Sequence, residues 1–414
     1  MTEDIINLRE CSYNCALVKD LVNRYSENHP LGISEYLAQF PVGISHQFQQ
    51  KIARLSYVLN EALIKVVSAY FYDERIRAVY QFDKELDDIL KVASEKPYKV
   101  GLYRPDFVFD VNGQARICEI GARYPVNGWM ISYYLYLALS EPGAIDSQRF
   151  ETVSSIDGIL DELSGQFDNS LPLIMVHKNE KGTEIFNLFS EFRKNGLETL
   201  IALPSDLKAE NGILTLNGLP VSQFIFEMDR EELRYFSPEV LNIIIRDCNY
   251  LNDVRTLILV HDKRILAVLY DQDIMSGLLP ADDYAFLRNF LIPTFSLGSA
   301  EKKAEIIQSP LKWILKQNSG GRGIGIYLSD NYTKEEWTNI IENNWQEYMA
   351  QQYVDQIPFT FPEHKIDDAI NMVGVFFGFN GHSFGPGAFR GSSDAIVNIH
   401  QGKGLSYPLL VPRQ

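Results

Sequence analysis

The chain has 414 residues, 46% of them hydrophobic and 22% charged, with a formal net charge of −16. That length is too great for one ordinary core and predicts two or three domains. The acidic balance argues against a sequence-independent grip on nucleic acid, which needs a basic surface to meet phosphates.

The first residues, MTEDIINLREC, lack the basic and apolar regions of a secretory signal. The longest nearly apolar run, residues 130–139, is too short to span a bilayer. Four cysteines in this length are no disulfide framework. A reducing cytoplasm is therefore the expected location, with no membrane partner. Cys11 and Cys15 can share one side of a helix, but no His or further Cys stands at ligand spacing, so no metal is expected there.

Residues 1–97 read as a helical region. The stretch SHQFQQKIARLSYVLNEALIKVVSAYFY repeats apolar positions at three-to-four spacing with few breakers. From residue 98 the pattern changes to short strands and returns to a helix near 128–140. The strands carry RPDFVFDVNGQARICEIGAR, residues 104–123, around an Asn-Gly turn signal. A two-residue turn centred on Asn112-Gly113 faces Val111 with Gln114, Phe109 with Arg116 and Phe107 with Cys118. It then sets Asp106 directly across from Glu119, and Arg104 across from Gly121. Direct cross-strand partners have Cβ atoms roughly 4.5–5.5 Å apart, and like charges there are destabilising. Two kinds of reading stand: an exposed acidic face or neutralisation by Arg104 or another basic residue, against a divalent cation between the carboxylates. Mg²⁺ often takes one or two carboxylates plus substrate phosphates. A slip of one residue would separate the pair.

Residues 170–260 read as a small three-layer α/β unit: strand LPLIMVH, an amphipathic helix ended by Gly196, strand LETLIAL, and a hairpin turning at Asn217-Gly218. Residues 261–414 follow with a short helix (DKRILAVLYD), then strand, glycine loop and strand (LKWILKQNSGGRGIGIYLSD), a helix (TKEEWTNIIENNWQEY) and a strand (MAQQYVDQI). The tail, 372–412, is strand-rich, with turns at FNGH and GSSDA.

The glycine loop holds Gly320, Gly321, Gly323 and Gly325. It fits neither the Walker nor the Rossmann pattern, and it feeds a strand where both of those feed a helix. Such a hairpin can still fold over a polyphosphate and offer backbone N–H groups. Lys316 before it can act on a phosphate as a point charge, and Arg322 at its tip can add another. An ordinary surface turn is the alternative. In MAQQYV an apolar strand edge with free backbone groups can hold a purine, or be plain core. In GPGAFRGSSDAIVNIHQGKG, Arg390 can stabilise charge on a transferred phosphoryl, or be a surface arginine.

In this order the pieces resemble the ATP-grasp superfamily, specifically its circularly permuted branch, which includes proteins similar to glutathionylspermidine synthase. RPD … EIGAR resembles the Arg-x-Asp … Glu-x-Asn metal segment, with Gly121 where the family usually has Asn. HDKRILAVLYD … LIPTF resembles the lead into the nucleotide domain, WILKQNSGGRGIGIYL the lysine strand and glycine loop, MAQQYV the adenine hinge, and the terminal segment the family's Pro-Gly-Gly-x-x-Arg end. The resemblance covers roughly 98–414. It implies an α+β, circularly permuted ATP-grasp fold: a metal-binding part at 98–169, a small α/β pre-ATP-grasp domain at 170–260, and a nucleotide-binding domain at 261–414.

The activity it implies is an ATP- and Mg²⁺-dependent ligase. A substrate carboxylate, expected to be an amino acid's, becomes an acyl phosphate and is joined to an amine or thiol, a carrier-protein thiol included. By the same resemblance Asp106 and Glu119 hold Mg²⁺. Lys263, Lys316, Gly320, Gly321, Arg322 and Gly323 serve the phosphates, and Gln351, Gln352, Tyr353 and Val354 the adenine. Arg390 serves the transferred charge, and Arg104 or Arg123 the substrate carboxylate. A nucleotide-binding protein without ligase activity and a small-molecule phosphotransferase are the competing readings.

Overall fold

The computed structural model describes residues 4–6, 8, 13–27, 32–123, 128–153, 158–179, 185–320, 325–359, 370–394, 397 and 404–413. The fold is mixed α+β with several sheets.

The predicted long helix is His46–Ala69. Ser45 caps it by accepting from the Phe48 N–H, and Phe48, Ile52, Leu55, Leu59, Leu63 and Val66 form its buried face. The N-terminal region is not wholly helical, however. Val42–Ile44 is a buried strand that pairs in parallel with Leu409–Pro412 near the other end of the chain. Three residues whose partner is that distant leave no local periodicity to read. Cys11 lies outside the described residues; Cys15, Cys118 and Cys248 are free thiols.

The largest sheet is antiparallel, with strands in the order Leu405–Tyr407, Phe389–Ser392, Asn371–Phe379, Leu102–Phe109, Ala115–Gly121; His382–Pro386 also pairs with Asn371–Phe379. The long helix packs on it through Phe48, whose ring centroid lies 6.0 Å from that of Phe107. Phe107 in turn meets Phe109 and Phe389 edge-on. Gly374 is required here, because a Cβ would come within 2.3 Å of the Phe107 ring.

The hairpin at 102–121 corrects the expected register. Its connection is a three-residue loop: Asp110 N–H donates to Gln114 O, and Gly113, at φ 73°, supplies the left-handed residue that such loops use. Asp110 Oδ1 accepts from Asn112 and Gln114 N–H and fixes this alternative. Near the turn Phe109 therefore faces Ala115 and Phe107 faces Ile117, one residue off the two-residue scheme. A bulge at Cys118 then absorbs one residue, and Asp106 does face Glu119, with Arg104 facing Gly121.

The middle of the chain forms a parallel sheet, Asn249–Leu251, Gln223–Glu227, Leu173–His177, Thr199–Ala202, with helices Ile185–Lys194 and Pro238–Asp247. Asn217 and Gly218 both have positive φ and turn Ile213–Leu216 onto Leu219–Pro220, as their sequence predicts. A further antiparallel sheet runs Thr294–Ser296, Tyr348–Gln352, Trp313–Gln317, Ile326–Leu328. With helices Ala300–Gln308 and Lys334–Asn344 it encloses its own core, including Leu297, Ile306, Trp313, Leu315, Trp337 and Ile341.

Candidate active site

Lys316 lies on Trp313–Gln317 and is buried. Its Nζ donates to Gln351 Oε1 on the neighbouring strand at 2.8 Å, and to the Cys118 carbonyl on the largest sheet at 3.1 Å. Cys118 stands 198 residues away in sequence. The bulge leaves this residue out of the strand pairing, so its carbonyl is available. Gln351 is in turn held by the Thr294 hydroxyl, which accepts from its Nε2 at 3.1 Å. Among the described residues Lys316 has no carboxylate partner. A buried ammonium that meets only neutral oxygens is electrostatically under-compensated. The Cys118 thiol is pushed up to about 11 by burial, against the pull of Lys316, and so is no nucleophile near neutral pH.

Asp106, on the strand Leu102–Phe109, is buried. Its Oδ1 accepts from Arg104 Nε at 2.8 Å and its Oδ2 from Arg390 Nη2. Burial resists ionisation of its carboxyl, but the two guanidiniums outweigh that and hold it below the usual carboxylate value. Neutralisation by arginine, one of the two readings of the carboxylate pair, is thus realised at Asp106. Glu119 is more open; its Oε1 is 3.6 Å from Lys263 Nζ. Lys263 also donates to the carbonyl of Gly320, at the start of the glycine loop, at 2.7 Å. Two carboxylates on adjacent strands suit a Mg²⁺ that takes its remaining oxygens from phosphates. They do not make a protein-only cage: among the described residues no three of His, Cys, Asp and Glu gather as metal ligands. At Gly121 a Cβ would lie 3.4 Å from Arg104 Nη2, and at Gly128 one would lie 2.9 Å from Arg104 Nη1. The Arg104 guanidinium therefore occupies the space beside both glycines.

Arg123 follows the metal-candidate strand and pairs with Asp229, whose other oxygen meets the Ser319 hydroxyl at 3.5 Å. The sequence reading named Lys263 but gave no role to Asp229, Arg230, His261, Asp262 or Arg264. The Asp262 carboxylate is buried, accepts two bonds from Arg264 at 2.9 and 2.7 Å, and also holds Arg230. Burial opposes its charge, yet Arg264 and Arg230 keep the carboxyl below its ordinary value. His261, just before it, is also buried, and its Nδ1 accepts the Ala122 N–H at 3.4 Å. The signal was present: HDKR packs four polar or charged residues directly ahead of the apolar helix ILAVLY.

One expectation is corrected at the adenine segment. Tyr348–Gln352 is no edge strand, because Thr294–Ser296 and Trp313–Gln317 flank it on both sides. Gln352 N–H donates to Pro293 O and Tyr353 N–H to Lys312 O. Periodicity cannot distinguish an apolar edge from an apolar interior strand. Val354 lies just past the strand end. Of the glycine loop, Gly321, Arg322 and Gly323 lie outside the described residues, while Gly320 and Gly325 are at the positive φ values of 116° and 69°. No helix among the described residues is long and apolar enough to cross a membrane.

A family model described as the AnkG N-terminal domain matches residues 55–259. Among solved structures, a protein of Methylobacillus flagellatus described as a candidate gamma-glutamylcysteine synthetase aligns over 86% of this chain and 88% of its own. Its identity is 10% and its TM-score 0.40, a likeness too slight to argue from. The ATP-grasp enzyme ankG of Aspergillus thermomutatus is 24% identical over 92% of this chain and 90% of its own. Over nearly its whole length, therefore, this chain is similar to a protein named as an ATP-grasp enzyme.

Proposed function

We propose that the chain is an ATP- and Mg²⁺-dependent ligase of the circularly permuted ATP-grasp type. It activates a carboxylate, an amino acid's by preference, and joins it to an amine or thiol. The observation that carries this reading is Lys316: a buried cation without a carboxylate partner among the described residues, between the glycine-loop sheet and the strand of Glu119. The pairing of Leu102–Phe109 with Asn371–Phe379 supports the permuted order, with 98–169 and 261–414 together forming the ATP-grasp part and 170–260 the small α/β domain. The same closeness of Lys263, Glu119 and Gly320 supports phosphates and metal meeting there.

In this scheme Lys316 and Lys263 draw the phosphates in, and the glycine loop covers them. Asp106 and Glu119 would hold Mg²⁺, which supplies charge neutralisation at the phosphate oxygens when bound. Tyr353 and Val354, just past the end of the interior strand that carries Gln351 and Gln352, would line the adenine. A substrate carboxylate oxygen attacks the γ-phosphorus; the new P–O bond forms as the bond to the β-phosphate oxygen breaks, and ADP leaves. The nitrogen or sulfur of the acceptor then attacks the acyl carbon, phosphate leaves, and the acceptor's proton passes to solvent. Arg390 stabilises the transferred charge, and Arg104 or Arg123 orients the acid. Catalysis of the first step is mainly positioning and charge compensation.

The test is ADP release from the whole chain in a screen of amino acids against amines and thiols, with hydroxylamine present. An acyl phosphate yields a hydroxamate. Lys316→Ala and Glu119→Ala should each abolish Mg²⁺-dependent ADP formation with the circular dichroism unchanged; normal turnover by both sinks the assignment. A nucleotide-binding protein without ligase activity is the second reading, favoured by the two guanidiniums already on Asp106. It requires ATP binding with no ADP release for any pair.

A further inference from the structure

His261 is the one buried imidazole of this region that the scheme above leaves without a task. It follows directly on a π-helical turn, Thr256–Val260, and its own N–H closes that turn on Thr256 O at 3.0 Å. Such wide turns are frequent at functional sites. The side chain is 6% exposed. Nδ1 accepts the Ala122 N–H, so in the neutral ring the proton sits on Nε2. That Nε2 is sealed from solvent and has no hydrogen-bond partner among the described residues.

Four cations lie near it, each paired with a carboxylate: Arg104 with Asp106, Arg123 with Asp229, Arg230 with Asp262 and Lys263 with Glu119. Arg123 and Arg104 approach from the metal-candidate strands, Arg230 from the turn after Gln223–Glu227, and Lys263 from two residues ahead in the chain. Burial first, and then these four charges, drive the imidazole well below its ordinary value of 6.5 and keep it neutral. A buried N–H donor without an acceptor costs about 1–3 kcal/mol. An anionic oxygen, drawn in by the cations nearby, would satisfy it. Connectivity indicates which anion. Lys263 touches both Gly320 at the root of the glycine loop and Glu119, the more open of the two metal-candidate carboxylates.

Resting on the ligase reading, we propose that His261 Nε2–H donates a hydrogen bond to the terminal phosphoryl group of the bound nucleotide, the group that is transferred. Because the ring is neutral, it adds direction without adding a further positive charge that would hold the phosphoryl back. Because Nε2 is sealed from solvent, reaching it requires the side chains that enclose it to move aside.

The test compares Mg²⁺ with β,γ-imido-ATP and Mg²⁺ with ADP, titrated calorimetrically into the whole wild-type chain, His261→Gln and His261→Phe. His261→Phe should lose about tenfold or more in affinity for the imido analogue and keep its affinity for ADP. His261→Gln, which retains an N–H donor, should recover most of the loss. Equal losses for both nucleotides, or no loss, overturn the proposal. Should the Phe variant fail to fold, the ¹⁵N shift of His261 Nε2 in the wild type decides. It should move with the imido analogue and not with ADP; a shift with both or with neither overturns the proposal. If the wild type binds neither nucleotide, the ligase reading itself falls and this proposal with it. Wild-type binding of both, with an unaffected Phe variant, removes this proposal alone.

Discussion

The two sheets that meet at the site are built differently. The sheet of Asp106 and Arg390 is braced by a continuous aromatic core, with Phe107 against Phe48, Phe376 and Phe389. The sheet of Lys316 rests on a small separate core around Trp337 and Leu315. Polar links across the seam include Lys316 to Cys118 O, and Lys263, which meets Asn318 O and Gly320 O on one side and Glu119 on the other. Asp106 and its arginines sit on the large platform, and Lys316 sits on a lobe with its own core. Such a lobe can open as a unit without disturbing the platform, because local stability follows local core.

Removing a side chain from the small core is the most severe way to probe that difference. Trp337→Ala should cost about 3–5 kcal/mol. Amide exchange should quicken over Trp313–Gln317 while Leu102–Phe109 stays protected. Equal exchange in both sheets would mean one cooperative unit and break the comparison. Arg390→Ala acts on the platform's chemistry. It should lower the rate of ADP release about 100-fold with a nearly unchanged thermal midpoint, since Arg104 still pairs Asp106. A matching fall in the midpoint would make Arg390 a structural residue only.

The gentlest probe is acid. The carboxyl of Asp106 is depressed in the fold, so its contribution to stability is complete above its ordinary value of 3.8 and is lost as pH falls below that toward the folded value. The loss is at most about 1.4 kcal/mol per pH unit. Denaturant titrations in that window should show a flatter pH dependence for Asp106→Asn than for the wild type; an identical dependence would mean that the arginine pairs do not govern the platform's acid response.

Much of the site was legible in the sequence because its parts are local. The long helix, the carboxylate hairpin, the glycine hairpin and the Asn-Gly turn at 217–218 each carry their own periodicity or turn chemistry. What escaped needs distant partners. The Val42–Ile44 strand lies between Ile5–Ile6 and Leu409–Pro412, partners that its own three residues do not announce. The interior place of Tyr348–Gln352 depends on two flanking strands. The pairing of Arg123 with Asp229, and of Arg230 with Asp262, joins segments that no spacing rule connects. The two-residue turn was wrong and the facing of Asp106 and Glu119 was right, because the longer loop and the bulge cancel.

That cancellation bears on how the gene can change. Val111 at the loop tip is exposed, the kind of place where an insertion or deletion is usually harmless. Between this tip and the site stands Cys118, which restores the register and also offers its carbonyl to Lys316. Loss of the single bulged codon would therefore be two lesions at once: the carboxylates would no longer face each other, and the lobe's lysine would lose its foothold on the platform. Length, more than composition, is what selection must guard in this hairpin.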